Sequence, residues 1–317
     1  MTTQYSIDSP LKIGTRGSPL ALAQAYETRS RLMEAHGLPE GAFTIEVIQT
    51  TGDAVQDRPL SEIGGKGLFT KEIERALMDG RIDIAVHSMK DVATALPGGL
   101  IIDCALPRED VRDAFISLKY KSISELPQGA VVGTSSLRRR AQLLAMRPDL
   151  TLVEFRGNVQ TRLKKLDDGV AEATFLACAG LRRLGNFELA NPIETGTMLP
   201  ACAQGAVGIE RREDDTTAKA LLAPIHHTDT FTRITAERAF LKELDGSCRT
   251  PIGGLAMLSG DTLHFKGEII RPDGSVIHAG NWQGAATDAA KIGAKAGLEL
   301  RAKGGEGFFA NSVSTLS

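Results

Sequence analysis

Arg81-Ile82-Asp83-Ile84-Ala85-Val86-His87-Ser88-Met89-Lys90-Asp91-Val92 begins as an apolar run and ends by delivering a cation and a carboxylate to one turn. Ile82, Ile84 and Val86 are β-branched and Ala85 leaves room for a helix, so the run predicts a buried parallel strand. In open α/β sheets ligands sit at the carboxyl ends of strands, and Lys90 and Asp91 fall at such an end. Taken alone, an adjacent Lys-Asp is also what a surface ion pair looks like. The rest of the chain argues for a site, because it repeatedly places Arg and Ser at the same kind of junction.

Upstream, residues 11–14 read as a strand, and Ser18 as N-cap, Pro19 at the first helical position and Gly37 as a stop bracket a helix to about His36. Arg16 and the free amides of that helix start converge on one point, which is either an anion site or an ordinary cap beside a solvated Arg. Residues 43–50 alternate as a strand; residues 52–67 then lose all periodicity and gather Asp53, Asp57, Pro59 and Gly64-Gly65-Lys66-Gly67. A patternless loop of that length is a mobile lid or a disordered connection, with Lys66 and the following Phe69 as its candidate functional residues. It is not a phosphate-binding loop, since Gly67 stands where that motif needs Ser or Thr. A helix over 69–79, stopped by Gly80, leads into the opening strand.

Downstream, the polar stretch 107–113 reads as a hinge into a second α/β unit. Residues 130–133 form a strand, Thr134-Ser135-Ser136 a turn, and the next helix carries Arg138, Arg139 and Arg140 in its first turn. Cations there oppose the helix macrodipole by about 0.3 kcal/mol or more each. Three in succession point to an anion held between amides and arginines, or to a basic face that happens to start a helix. The arrangement recurs: a strand over 152–155 precedes Arg156-Gly157-Asn158 and a helix with Arg162 one turn in, and a strand over 173–179 precedes Arg182 and Arg183. Arg suits carboxylates, which it holds by two parallel hydrogen bonds. Residues 191–208, rich in Pro and Gly, then read as a second crossing, with a strand over 206–210 returning the chain to the first unit.

The expected fold is therefore α/β: two periodic lobes resembling periplasmic binding proteins and closing on a cleft, followed by a small C-terminal α+β domain. That last part has a helix over 230–244, a loop over 245–254, three strands and a helix over 288–303, ahead of a frayed tail at 311–317. The expected domains are 10–106 plus 207–224, 112–200, and 229–317.

Composition narrows the function. Over 317 residues the chain is 42% hydrophobic and 24% charged, as in ordinary globular enzymes, and long enough for two or three domains. A net charge of -2 and only 5% aromatics disfavour nucleic-acid binding, and no apolar run reaches membrane-span length. MTTQYSIDSP has neither a basic start nor an apolar core, so no signal peptide and a cytoplasmic location are expected. The four cysteines show no metal-ligand spacing, and no metal is expected. Cys104 and Cys178 look structural; Cys248, beside Arg249 in a loop of turn formers, is either an activated thiol or an unremarkable exposed one.

Eight motifs in fixed order, GTRGSPLAL, GGKGLF, HSMKDV, VGTSSLRRRAQL, RGNVQTRLKKL, AGLRRLG, QGAVGIE and GSCRTPIGG, resemble the porphobilinogen deaminase (hydroxymethylbilane synthase) family over about 11–304. The resemblance implies a transferase that condenses four porphobilinogen molecules onto a covalent dipyrromethane cofactor and releases hydroxymethylbilane by hydrolysis. It implies a thioether from the cofactor to Cys248 and a catalytic carboxylate at Asp91. It also implies that Arg16, Ser18, Lys90, Thr134, Ser136, Arg138, Arg139, Arg156, Arg162 and Arg183 hold cofactor and substrate carboxylates. A monomer whose partner is the small molecule porphobilinogen, without nucleic acid, membrane or metal, is expected; the alternative is a non-catalytic two-lobed dicarboxylate-binding protein. Ala93, Ala203, Glu62, Ser247 and Arg249 depart from residues common in the family, and Ala203 stands where a Gly is usual.

Overall fold

The computed structural model describes residues 5–54, 68–246 and 250–309. It is a mixed α/β protein whose described residues form two five-stranded sheets and one three-stranded sheet. The described residues pack into two compact units, one built from residues 5–54, 68–108 and 206–231, the other from 109–205, 232–246 and 250–309.

The first unit opens with β1 (Leu11–Thr15), α1 (Pro19–His36) and β2 (Phe43–Val47). Ser18 caps α1 by accepting from Ala21 N, and Gly37 ends it at φ 63°, as the sequence predicts. A short turn of helix, α2 (Thr51–Ala54), replaces the expected loop start; the rest of that predicted lid, including Lys66, lies outside the described residues. α3 (Lys71–Met78) leads to β3 (Ile84–Ser88), which pairs parallel to β1. Lys90 and Asp91 lie in the 3-10 turn directly after it. β4 (Leu100–Ala105) ends the first passage through this unit.

The second unit starts with β5 (Asp113–Ile116), so Asp113 opens a buried strand, whereas the sequence pattern puts it at the end of a hinge. β6 (Val131–Gly133), α4 (Leu137–Met146), β7 (Thr151–Val153), α5 (Val159–Asp167) and β8 (Ala173–Ala177) follow the predicted strand-turn-helix rhythm. The strand expected to run to 179 stops at Ala177, and Arg182 and Arg183 belong to a helix, α6 (Cys178–Arg183). Its first residues Cys178, Ala179 and Leu181 are buried, and that apolar spacing is helical rather than alternating. β9 (Asn191–Pro192) pairs with β5. The chain then returns to the first sheet as β10 (Val207–Arg212), antiparallel to both β3 and β4, and continues into α7 (Thr216–Leu222).

The two large sheets have corresponding strand orders, β2-β1-β3-β10-β4 and β7-β6-β8-β5-β9. In each, three strands from consecutive β-α units are followed by an antiparallel strand belonging to the chain's crossing. Helices cover both faces: α1 and α7 pack through Ala25, Leu32, Leu221 and Leu222 on Ile13, Ile84 and Ile209, while α3 packs through Ile73 and Leu77 on Ala85. In the second sheet Leu143 of α4 packs on one face, and Val159, Leu166 and Leu181 of α5 and α6 on the other.

The C-terminal part comprises α8 (Thr228–Glu243), the antiparallel strands β11 (Ile252–Ser259), β12 (Thr262–Ile270) and β13 (Ile277–Ala285), and α9 (Ala289–Gly304). Phe240, Phe265 and Leu300 centre its core. Glu237 of α8 is fully buried and accepts from the backbone N–H of both Ala203 and Ala256, tying the second crossing to β11. Ala203 is held at φ 61°. That conformation costs an L-residue about 1 kcal/mol.

Candidate active site

In the first unit, the ends of β1 and β3 and the start of α1 and α3 enclose a pocket lined by Arg16, Ser18, Gln24, Phe69, Ser88 and Asp91, among others. The placement follows from the chain's local grammar. β1 must turn sharply into α1, so Arg16 lies between strand and cap. β3 tightens into a 3-10 turn, which leaves Asp91 half-buried at the strand's carboxyl end. The Arg16 guanidinium sits 4.2 Å from the centre of the Phe69 ring, a cation–π contact that fixes the cation's place. Gln24, buried in α1, exchanges hydrogen bonds with the Ser88 hydroxyl at 2.8 and 3.0 Å. Lys90 is half-buried in the same turn as Asp91.

In the second unit the arginines divide into two groups. Arg138 and Arg139 are buried and pair with Asp113, Arg138 Nη1 at 2.8 Å from Oδ2 and Arg139 Nη2 at 2.7 Å from Oδ1. The sequence offers both as sockets for a ligand carboxylate; in the structure the carboxylate they hold is the chain's own. Asp113 also answers the conflict between these cations and the N-terminus of α4. Burial alone would raise the Asp113 carboxyl, but Arg138 and Arg139 hold it well below the usual carboxylate range. Ser136 caps α4 by accepting from Arg139 N, and the Thr134 hydroxyl accepts from Ser136 N at 3.2 Å. Both hydroxyls therefore shape the turn.

Arg139 also donates to the carbonyl of Phe175 at 2.9 Å, and Arg162 donates to the same oxygen at 3.3 Å. Burial first, then the charges of Arg139 and Arg156, pull Arg162 down to about 10. Arg138, Arg139 and Arg162 are thus linked in a chain, the first two through the Asp113 carboxylate and the last two through the Phe175 carbonyl. Arg183 goes elsewhere: its Nη1 donates to Gly205 O at 3.2 Å, on the returning segment. Gly205 has no room for a side chain: at φ +84° a Cβ would stand 2.5 Å from Glu109 O of the other crossing. Cys248 lies outside the described residues.

Sequence reasoning missed Gln24, His87, Asp113 and Glu210. A polar residue inside an otherwise apolar strand or helix face was the available signal, most plainly at His87.

Residues 11–220 match the family model described as "Porphobilinogen deaminase, dipyromethane cofactor binding domain", and residues 231–302 match "Porphobilinogen deaminase, C-terminal domain". The chain belongs to the porphobilinogen deaminase family. A porphobilinogen deaminase of Paracoccus denitrificans is 64% identical over 98% of this chain and 99% of that protein. One from Nitrobacter hamburgensis is 55% identical over 98% of each. Among solved structures, a periplasmic substrate-binding protein from Coxiella burnetii overlays 72% of this chain and 96% of its own at 14% identity, with a TM-score of 0.41. Family membership disfavours the alternative of a non-catalytic binder. No helix among the described residues is long and apolar enough to cross a membrane.

Proposed function

We propose that the protein is a porphobilinogen deaminase. It condenses four porphobilinogen molecules head to tail with loss of ammonia, then releases the linear tetrapyrrole hydroxymethylbilane by hydrolysis. The observation that carries this reading, beyond family membership, is the meeting of Arg139 and Arg162 at the Phe175 carbonyl, with Arg138 and Arg139 sharing one buried carboxylate. Such a cluster is relieved by anions, and every porphobilinogen brings an acetate and a propionate.

The same donor set suits a dipyrromethane cofactor, which is itself a polycarboxylate; when bound, it supplies an anchored pyrrole on which the chain grows. Arg16, Lys90, Arg156, Arg162 and Arg183 bind carboxylates, with Arg138 and Arg139 contributing the charge left over from Asp113. Ser18, Thr134 and Ser136 keep the helix starts in register. Asp91 accepts from pyrrole N–H groups and stabilises the positive charge that develops as ammonia departs. At 4 Å and an effective dielectric near 20 that attraction is about 4 kcal/mol, roughly a thousandfold in rate.

Attachment falls to Cys248. Burial, then the Asp103 charge, pushes the Cys104 thiol up to about 12, and burial pushes Cys178 up to about 11, so neither forms a thiolate at neutral pH. Cys202 is buried as well. We further assign one domain to each sheet, a monomeric state and a cytoplasmic location. The test is turnover of porphobilinogen by the purified protein, with intact-mass analysis and a coloured reaction with an acidic aldehyde reagent for pyrroles. Wild type should carry a dipyrromethane adduct and Cys248→Ala none; an adduct retained on Cys248→Ala would contradict the assignment.

A further inference from the structure

Each condensation frees a proton that some group must take. In the porphobilinogen that donates its aminomethyl carbon, the C–N bond breaks, nitrogen keeps the electron pair and ammonia leaves. A C–C bond then forms at the free α-carbon of the neighbouring pyrrole. The C–H bond at that carbon breaks, its electrons restore the aromatic ring, and its proton needs a base. Asp91 serves best ionised, opposite a developing cation, and a carboxylate that accepts the proton loses that role at the moment it matters.

A second titratable group lines the same pocket. His87 is 5% exposed, and its Nε2 lies 2.9 Å from Oε2 of Glu210, which is fully buried. The pair arises from strand register: β3 and β10 run antiparallel with Gly208 opposite His87 and Glu210 opposite Ala85, so His87 and Glu210 project to one face. With Glu210 Oε2 as the acceptor, Nε2 donates the ring proton, and in the neutral ring Nδ1 keeps its lone pair. Among the described residues Nδ1 has no hydrogen-bond partner, and Oε1 of Glu210 has none either. Oε1 of Glu210 is the buried orphan of the two, and a buried polar atom without a partner calls for a role.

We propose that His87 is the base of the condensation: Nδ1 takes the α-carbon proton and passes it to the departing ammonia, while Glu210 fixes the ring's tautomer and steadies its positive charge. The inference rests on the porphobilinogen deaminase reading. Overall, an aminomethyl ammonium and a pyrrole C–H become a methylene bridge and an ammonium ion, so no further reactant is needed. The charged and titratable groups about His87 are Glu210 from β10, Glu74 from α3, Lys90 and Asp91 from its own turn, and Arg16 across the pocket. Burial, reinforced by the Glu210 charge, raises Glu74. A histidine whose ring is oriented by a buried carboxylate has the arrangement of a general base.

The test uses His87→Gln and Glu210→Gln with porphobilinogen deuterated at its free α-carbon. His87→Gln should lose about 100-fold in kcat with KM little changed, and a primary isotope effect on kcat should emerge as proton removal becomes limiting. Nitrogen NMR of the wild-type protein should show His87 with its proton on Nε2, a measurement independent of turnover and of whether the variants fold. Loss of kcat without an isotope effect, or a proton found on Nδ1, would overturn the proposal while leaving the family function intact. A wild-type protein inert towards porphobilinogen would overturn both.

Discussion

The two large sheets are laid out alike but do opposite electrostatic work. β1 runs into α1 through a turn capped by Ser18, and β6 runs into α4 through a turn capped by Ser136. The first turn holds one guanidinium, stacked on Phe69, in a pocket shared with Asp91. The second crowds Arg138 and Arg139 onto buried Asp113, with Arg162 meeting Arg139 at the Phe175 carbonyl. One strand-turn-helix scaffold thus carries few cations in one sheet and several in the other, which suits the charge stabilisation proposed for the first and the grip on polyanions proposed for the second. The difference is the count and neutralisation of cations, not the fold.

If that contrast is sound, Asp113 and Asp91 should fail differently. Asp113→Asn leaves two buried guanidinium groups without their anion and should cost about 3–5 kcal/mol in denaturant unfolding. Its pH dependence has a definite sign. Because the folded Asp113 carboxyl is depressed, its contribution is complete above the unfolded carboxylate pKa of about 4 and fades as pH falls further. The stability gap between wild type and Asp113→Asn should therefore narrow in acid; a gap that widens there would contradict the ion-pair account. A smaller effect belongs to the grip itself. Arg162→Ala removes a charge-assisted contact of about 1.5–3 kcal/mol, so KM for porphobilinogen should rise roughly tenfold or more while kcat changes less. A kcat loss without a KM change would move Arg162 from binding to chemistry. The smallest effect is at the crossing: Ala203→Gly relieves the left-handed backbone and should add up to about 1 kcal/mol of stability, partly offset by the freer unfolded chain. Destabilisation by that change would show that Ala203 is not strained.

Much of this was legible in residues alone because it is local. Ser18, Pro19 and Gly37 bound α1, and Ser136 caps α4, through side-chain or backbone chemistry within one turn. Lys90 and Asp91 follow β3 as the apolar run predicts. What stayed hidden depends on partners far apart in the chain. Asp113 resembles the last residue of a polar hinge until β5 is seen to carry it beneath Arg138 and Arg139. His87 becomes chemically interesting only once β10 returns and brings Glu210 to it. α7 went unread, and β4 was legible only as apolar strand residues around Cys104, because its alternation is weak: Ile101, Ile102 and Asp103 are all half-buried.

Steady-state kinetics of Asp91→Asn, with intact mass recorded on the same sample, bear most directly on the claim that this carboxylate stabilises the cationic pyrrole. The side chain keeps its shape and loses its charge. The adduct should persist, KM should change little, and kcat should fall by about a thousandfold. A variant with near-normal kcat would show that the charge of Asp91 is not what drives the reaction.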